Sequence, residues 1–166
     1  MKGNELVIIL DFGSQYSKLI ARRVREANVY CEIVRHDIPA SEVERLEPKG
    51  IILSGGPSSV YGEKAPEIDK AIFGMGIPVL GICYGMQLMA FHLGGKVARA
   101  DKREYGKADI AKDDASCLFK GLGEVGSVWM SHGDHVMEMP EGFVKSAWSD
   151  NTPIAAMEDP GRKLYG

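Results

Sequence analysis

The stretch Val79-Leu80-Gly81-Ile82-Cys83-Tyr84-Gly85-Met86-Gln87 constrains this chain more than any other. An apolar strand runs into G-x-C-x-G, and a helical pattern begins at once. This is the cysteine form of the nucleophile elbow, a sharp strand-to-helix turn that exposes one side chain. Such a turn holds its central residue in strained backbone angles. The positions two residues to either side must then be small, as Gly81 and Gly85 are. The pattern predicts an α/β sheet with Cys83 at a helix N-terminus, where the macrodipole favours a thiolate. The backbone N–H of Tyr84 is expected to face a developing oxyanion. Glycine-flanked βα turns also occur without chemistry, so spacing alone leaves open a buried cysteine in an ordinary turn.

The rest of the chain supports that fold class. Leu6–Leu10 is a continuous apolar run, as expected for a strand covered on both faces. Residues 14–27 carry Tyr16, Leu19, Ile20, Val24 and Ala27 on a helical face. Val29–Val34 reads as a second strand. Residues 41–46 read as a short helix, with Ser41 and Glu44 at capping-box spacing. Ile51–Leu53 is a third buried strand, ending in Ser54-Gly55-Gly56-Pro57. Residues 66–73 read as a helix with proline in its first turn, 79–82 as a strand, and 84–93 as a helix stopped by Gly94-Gly95. Strands alternating with helices predict a mostly parallel open sheet flanked by helices. After Gly95 the pattern changes. Short strands at 96–100, 107–112, 127–130, 143–148 and 154–157 should add antiparallel strands in the second half. Residues 162–166 begin one more strand. Domain boundaries normally fall in exposed linkers, so 1–166 is expected to be a single domain whose C-terminal end is missing.

Composition serves mainly to exclude. A length of 166 residues suits one domain with a sizeable core. The net charge of −3 gives no basic footprint for nucleic acid. No apolar run is long enough to span a membrane, and Met1–Glu5 does not open a signal peptide. Cys31, Cys83 and Cys117 form an odd set without paired spacing, which points to thiols in a reducing cytoplasm. With no C-x-x-C and no His/Cys cluster at ligand spacing, no metal site is expected.

Four blocks then carry a resemblance. They are Asp11-Phe12-Gly13-Ser14-Gln15-Tyr16, Leu53-Ser54-Gly55-Gly56-Pro57, Gly81-Ile82-Cys83-Tyr84-Gly85-Met86-Gln87 and Trp129-Met130-Ser131-His132-Gly133-Asp134. In this order and separation the chain resembles, over essentially its whole length, the class I (triad) glutamine amidotransferase domains of GMP synthetases. The resemblance implies a flavodoxin-like fold. It implies that Cys83 attacks the side-chain amide of glutamine to form a thioester, with the backbone N–H groups of Gly56 and Tyr84 holding the oxyanion. It further implies that Gln87, one helical turn after Cys83, and a loop of Ser131, His132, Gly133 and Asp134 receive the glutamine. No cofactor is implied for this domain. The ammonia would pass to an ATP pyrophosphatase (synthetase) domain or subunit, which uses ATP and Mg²⁺ to aminate XMP to GMP. The sequence itself holds neither an S-G-G-x-D-S loop nor a P-loop.

The family draws its triad histidine and glutamate from an H-P-E motif that follows a strand of the type Y-G-V-Q-F. Tyr165-Gly166 stand where that strand would begin, and no H-P-E occurs in the sequence. Residues 1–166 alone are therefore expected to be weakly active or inactive. The alternative is a non-catalytic module that binds glutamine or a partner. By itself, Gly55-Gly56-Pro57 also reads as a tight turn and Gln87 as a solvated helix residue. His132 is not taken as the base, because the family places its base in the H-P-E motif. His36, His92 and His135 read as ordinary residues, and Cys31 and Cys117 as structural. Arg22, Arg23 and Arg25, with Arg99, Lys102, Arg103 and Lys107, read as solvated surface.

Overall fold

A computed structural model describes residues 5–123 and 126–166, and for 101–104 the backbone alone, so that the side chains of Lys102 and Arg103 lie outside the description. The first half is built of β1 (Leu6–Asp11), α1 (Ser17–Glu26), β2 (Tyr30–Arg35), α2 (Ala40–Leu46), β3 (Gly50–Leu53), β4 (Val79–Gly81) and α3 (Tyr84–His92). A 3-10 helix, Lys70–Gly74, lies between β3 and β4. The second half is β5 (Lys96–Asp109), β6 (Ala111–Lys112), β7 (Ser127–Glu138), β8 (Val144–Trp148), β9 (Ala156–Asp159) and β10 (Leu164–Tyr165).

Eight strands form one sheet in the order β2-β1-β3-β4-β10-β9-β8-β6. The first five run parallel and the last three are joined antiparallel. The parallel part has the flavodoxin-like order, which reverses direction between β1 and β3. A crevice for ligands opens outside the carboxyl ends of the strands at such a point. Alternate residues of β1 and β3 bury opposite faces. Ile8, Leu10, Ile51 and Leu53 join Leu88 and Met89 of α3, while Ile9 packs with Ala21 of α1 and Cys31 of β2. Each such aliphatic side chain contributes about 1.5–3 kcal/mol by burial. Helix α3 is buried over Tyr84–Ala90, so it is a core element rather than an amphipathic cover.

Several elements differ from the sequence reading, each for a local reason. Helix α1 turns Ala21, Ile20 and Val24 to the sheet and leaves Tyr16 and Leu19 nearly half exposed. Helix α2 starts after Pro39 and makes no capping box. Its first N–H, from Ala40, goes instead to the Asp69 carboxylate at 2.9 Å. The other oxygen of Asp69 accepts the Ala71 N–H at 3.1 Å. These two donors hold the Asp69 carboxyl below its ordinary value. They also explain why residues 66–73 yield only the 3-10 helix: Asp69 is extended and caps it. In the second half, β5 and β7 are longer than expected and form a separate two-stranded antiparallel ribbon. Ser131–Asp134 therefore lie within a strand and not in a loop. The ribbon is irregular there. Asp134 pairs with Arg99 and His132 with residue 104, so Gly133 stands opposite the extra residues 100–103.

The short β10 fills the gap between β4 and β9 and joins the parallel and antiparallel parts into one sheet. Next to it, β9 buries Glu158 at 2% exposure. Burial alone pushes that carboxyl up. The N–H groups of Cys117 (2.9 Å) and Leu118 (3.1 Å) and the Ser116 hydroxyl (2.8 Å) outweigh it and hold the group below its usual value. Cys31 is buried, whereas Cys117 is exposed and so is not the buried packing residue that its type suggested. No helix among the described residues is long and apolar enough to cross a membrane.

Candidate active site

Strand β4 ends at Gly81, and the chain turns into α3 through Ile82 and Cys83. Cys83 has φ 51° and ψ −110°, a left-handed-side conformation that a non-glycine residue adopts only under strong constraint. Its neighbours supply that constraint. A Cβ on Gly81 would lie 2.7 Å from the backbone of Gly85 and Met86. A Cβ on Gly85 would lie 2.5 Å from the Leu53 carbonyl oxygen. Gly85 is thus small because α3 rests on the backbone of β3, not because of crowding against Cys83 itself.

The loop after β3 closes on the elbow. Gly55 packs with its Cα side toward Cys83, where an added Cβ would sit 3.5 Å from the cysteine Cβ. Gly56 lies against the end of β1, and a Cβ there would meet the Phe12 carbonyl oxygen at 2.6 Å. The turn after β1 is shaped by Asp11, whose carboxylate accepts the Gly13 N–H (3.0 Å) and the Ser17 hydroxyl (2.8 Å). Gln87 is buried, and its Nε2 donates to the Asp134 carbonyl at 2.9 Å, tying α3 to the ribbon.

These segments enclose a cleft of ≈ 770 Å³. Gly56, Cys83, Tyr84, Gln87, Ser131, His132, Gly133 and Asp134 all line it, so the structure brings the expected site residues together. Tyr84 contributes through its backbone. Its ring is buried against Phe12, its hydroxyl donates to the Pro66 carbonyl at 2.7 Å, and burial with the nearby Glu67 pushes the phenol up to about 12. The cleft also takes in Gly13–Tyr16, Tyr61, Arg99 and Tyr105, which the sequence reading did not assign to a site. Arg99 corrects an expectation, since it was read as plain surface. The position of Gly13–Tyr16 directly after a parallel strand was the available signal for that turn. Nothing local marks Arg99, which reaches the cleft only through the pairing of β5 with β7.

The Cys83 side chain opens to the cleft yet is walled by protein on most sides, and burial pushes its thiol up. Burial thus opposes the depression expected from the helix N-terminus. Desolvation disfavours the thiolate, and no charged group among the described residues offsets it. His36 (Nδ1 2.8 Å from the Glu67 carbonyl) and His92 (Nε2 3.0 Å from the Glu67 carboxylate) lie away from the cleft, as does His135. Arg22 and Arg23 pair with Glu26 on the exposed face of α1, as expected for a solvated stretch. Among the described residues no group of three or more His, Cys, Asp or Glu is arranged to hold a metal ion.

A strained cysteine at a strand-to-helix turn, opening on a crevice at the sheet's reversal point, describes a class of α/β enzymes. Residues 8–166 fit the family model of glutamine amidotransferase class-I, and the chain belongs to that family. It is 56% identical over 162 residues to a glutamine-hydrolyzing GMP synthase of Nostoc sp., covering 98% of this chain and 30% of that protein. It is 56% identical over 166 residues to the GMP synthase of Lacticaseibacillus casei, covering 99% of this chain and 32% of the relative. The chain thus spans about a third of the length of these relatives. Among solved structures it is similar to a GMP synthase subunit protein of Thermoplasma acidophilum. The TM-score is 0.83 and the identity 29%, covering 99% of this chain and 83% of the other. A glutamine amidotransferase of Thermotoga maritima shares the fold with a TM-score of 0.75 at 21% identity, covering 98% of this chain and 74% of that one.

Proposed function

We propose that residues 1–166 belong to a glutaminase domain that releases ammonia from glutamine for a GMP-forming synthetase. The observation that carries this reading is Cys83 at φ 51° on the floor of the cleft, since such strain persists where a function maintains it. In this reading the Cys83 sulfur attacks the side-chain carbonyl carbon of glutamine. The C–N bond breaks as the proton released by the thiol passes to the leaving nitrogen, ammonia departs, and a γ-glutamyl thioester remains. Water then attacks the thioester and releases glutamate and the thiol. The N–H groups of Gly56 and Tyr84 stabilise the oxyanion of both steps. Gln87, Ser131, His132, Gly133 and Asp134 hold the substrate.

The ammonia is consumed by an ATP pyrophosphatase domain or subunit that activates XMP with ATP and Mg²⁺. The names of the relatives, and the two thirds of their length that this chain does not span, support that partner. The glutaminase step itself needs no cofactor. The free thiols of Cys31, Cys83 and Cys117 suit a reducing cytoplasm. A non-catalytic module that binds glutamine or a partner is the second reading, favoured because residues 1–166 contain no H-P-E motif to supply a triad histidine and glutamate.

The γ-(4-nitrophenyl) ester of glutamate separates the two readings. Its leaving group needs no protonation, so acylation by a bare thiolate is visible as a burst of nitrophenolate. A glutaminase domain gives a burst that Cys83→Ala abolishes, whereas a binding module gives none. Alkylation with a glutamine-mimicking chloroketone, mapped by peptide mass spectrometry, should mark Cys83 ahead of Cys31 and Cys117.

A further inference from the structure

Ser54 follows β3 directly and is fully buried, with 0% exposure. Its Oγ accepts the Phe12 N–H at 3.0 Å, so the hydroxyl proton is left for another partner. That partner is the carbonyl oxygen of Gly55, at 2.9 Å. The Gly55 carbonyl and the Gly56 N–H belong to one planar trans peptide, in which the two bonds point in opposite directions. A carbonyl held toward the buried Ser54 therefore turns the Gly56 N–H the other way. Between two glycines this peptide would otherwise rotate with little resistance. Phe12 holds the unit from both ends, since its N–H fixes the Ser54 hydroxyl and its carbonyl packs on Gly56.

We propose that Ser54 is a positioning residue for the oxyanion site. Its hydroxyl locks the Gly55–Gly56 peptide so that the Gly56 N–H faces the oxygen of a carbonyl under attack by Cys83. This inference rests on the glutaminase reading above. Donors aimed in advance at a developing charge act without reorganising during the reaction. A hydroxyl that merely ties β1 to β3 would add stability and nothing else.

The test is burst kinetics with the nitrophenyl ester on the whole chain, alongside alkylation of Cys83 by iodoacetamide, which displaces iodide and builds no oxyanion. Outright removal of an oxyanion donor costs about 10²–10³-fold in rate, so loosening one in Ser54→Ala should slow the saturating burst by about 10- to 100-fold. The half-saturating ester concentration and the iodoacetamide rate should stay as in the unaltered chain. Ser54→Thr, which keeps the hydroxyl, should recover most of the rate. If Ser54→Ala does not fold, Ser54→Cys, a near-isosteric but weaker donor, is expected to show the same split. An unchanged saturating burst overturns the proposal and leaves the glutaminase reading standing. Equal slowing of burst and iodoacetamide alkylation also overturns it, because Ser54 would then act on the fold at large. Absence of any Cys83-dependent burst in the unaltered chain overturns both.

Discussion

The two walls of the cleft are built on different principles. The floor comes from the parallel half, where β1, β3 and β4 end in turns and backbone lies directly on backbone. Gly56 sits on Phe12, Gly81 on the first turn of α3, and Gly85 on Leu53, with no room for a single added carbon. The facing wall is the β5–β7 ribbon, which belongs to a separate sheet. It is tied to α3 at the site by a side-chain bond, Gln87 to the Asp134 carbonyl. Strained geometry at Cys83 is stored where packing is closest, whereas the facing wall rests on strand pairing and that one side-chain bond. A reacting thiol gains from rigid placement because small displacements cost large factors in rate. A binding wall tolerates adjustment.

This contrast predicts graded effects. The largest belongs to the floor. Gly85→Ala puts a carbon 2.5 Å from the Leu53 carbonyl oxygen, backbone that cannot swing aside. A loss of about 1–3 kcal/mol or more in urea unfolding is expected, together with loss of the nitrophenolate burst. Stability and burst both near those of the unaltered chain would show that α3 does not rest on β3 as described.

The antiparallel half should break next, through Glu158. Glu158→Gln exchanges a carboxylate for an amide that cannot accept all of its present donors, at a cost of about 1–3 kcal/mol. The pH dependence has a defined sign. The folded-state value lies below the ordinary 4.5. The contribution is therefore fully present above that ordinary value and is lost as the pH falls through the folded-state value. Acid unfolding curves of Glu158→Gln should be flatter in that window, and identical curves would remove the carboxylate from the account.

The wall should respond more mildly. Gln87→Ala deletes one buried hydrogen bond, of about 1 kcal/mol. The half-saturating ester concentration should rise about fivefold, with little change in the saturating burst. A collapse of the saturating rate instead would place Gln87 with the floor.

The smallest effect concerns titration. Because burial pushes the Cys83 thiol up, its iodoacetamide reactivity should rise with pH along a curve whose midpoint lies above that of an ordinary thiol. A midpoint below it would mean that the α3 N-terminus outweighs desolvation in forming the thiolate.

What could be read from the residues follows the same division. The elbow, the apolar strands and the glycine loop after β3 were legible, because each is enforced by neighbours a few positions away. The arrival of Ser131–Asp134 at the cleft was legible through resemblance, but their place within a strand was not. The Asp69 double cap was hidden, since Ser41 and Glu44 satisfy the local pattern for α2 and only the folded chain brings Asp69 to Ala40. Arg99 was hidden for a similar reason. Its access to the cleft depends on a ribbon whose register shifts between Arg99 and residue 104, and no local spacing encodes that.

The sequence by itself determined that Cys83 stands in a constrained turn between a buried strand and a helix, since G-x-C-x-G leaves few other backbone solutions. It also determined the alternation that builds the parallel sheet. Only the tertiary structure decided which groups share the cleft with Cys83 and which way its thiol shifts. It alone placed the short β10 between β4 and β9 to join the two halves of the sheet. The physical reason is range. Backbone sterics act over a few residues, whereas desolvation, strand register and side-chain bonds such as Gln87 to Asp134 exist only once distant segments meet.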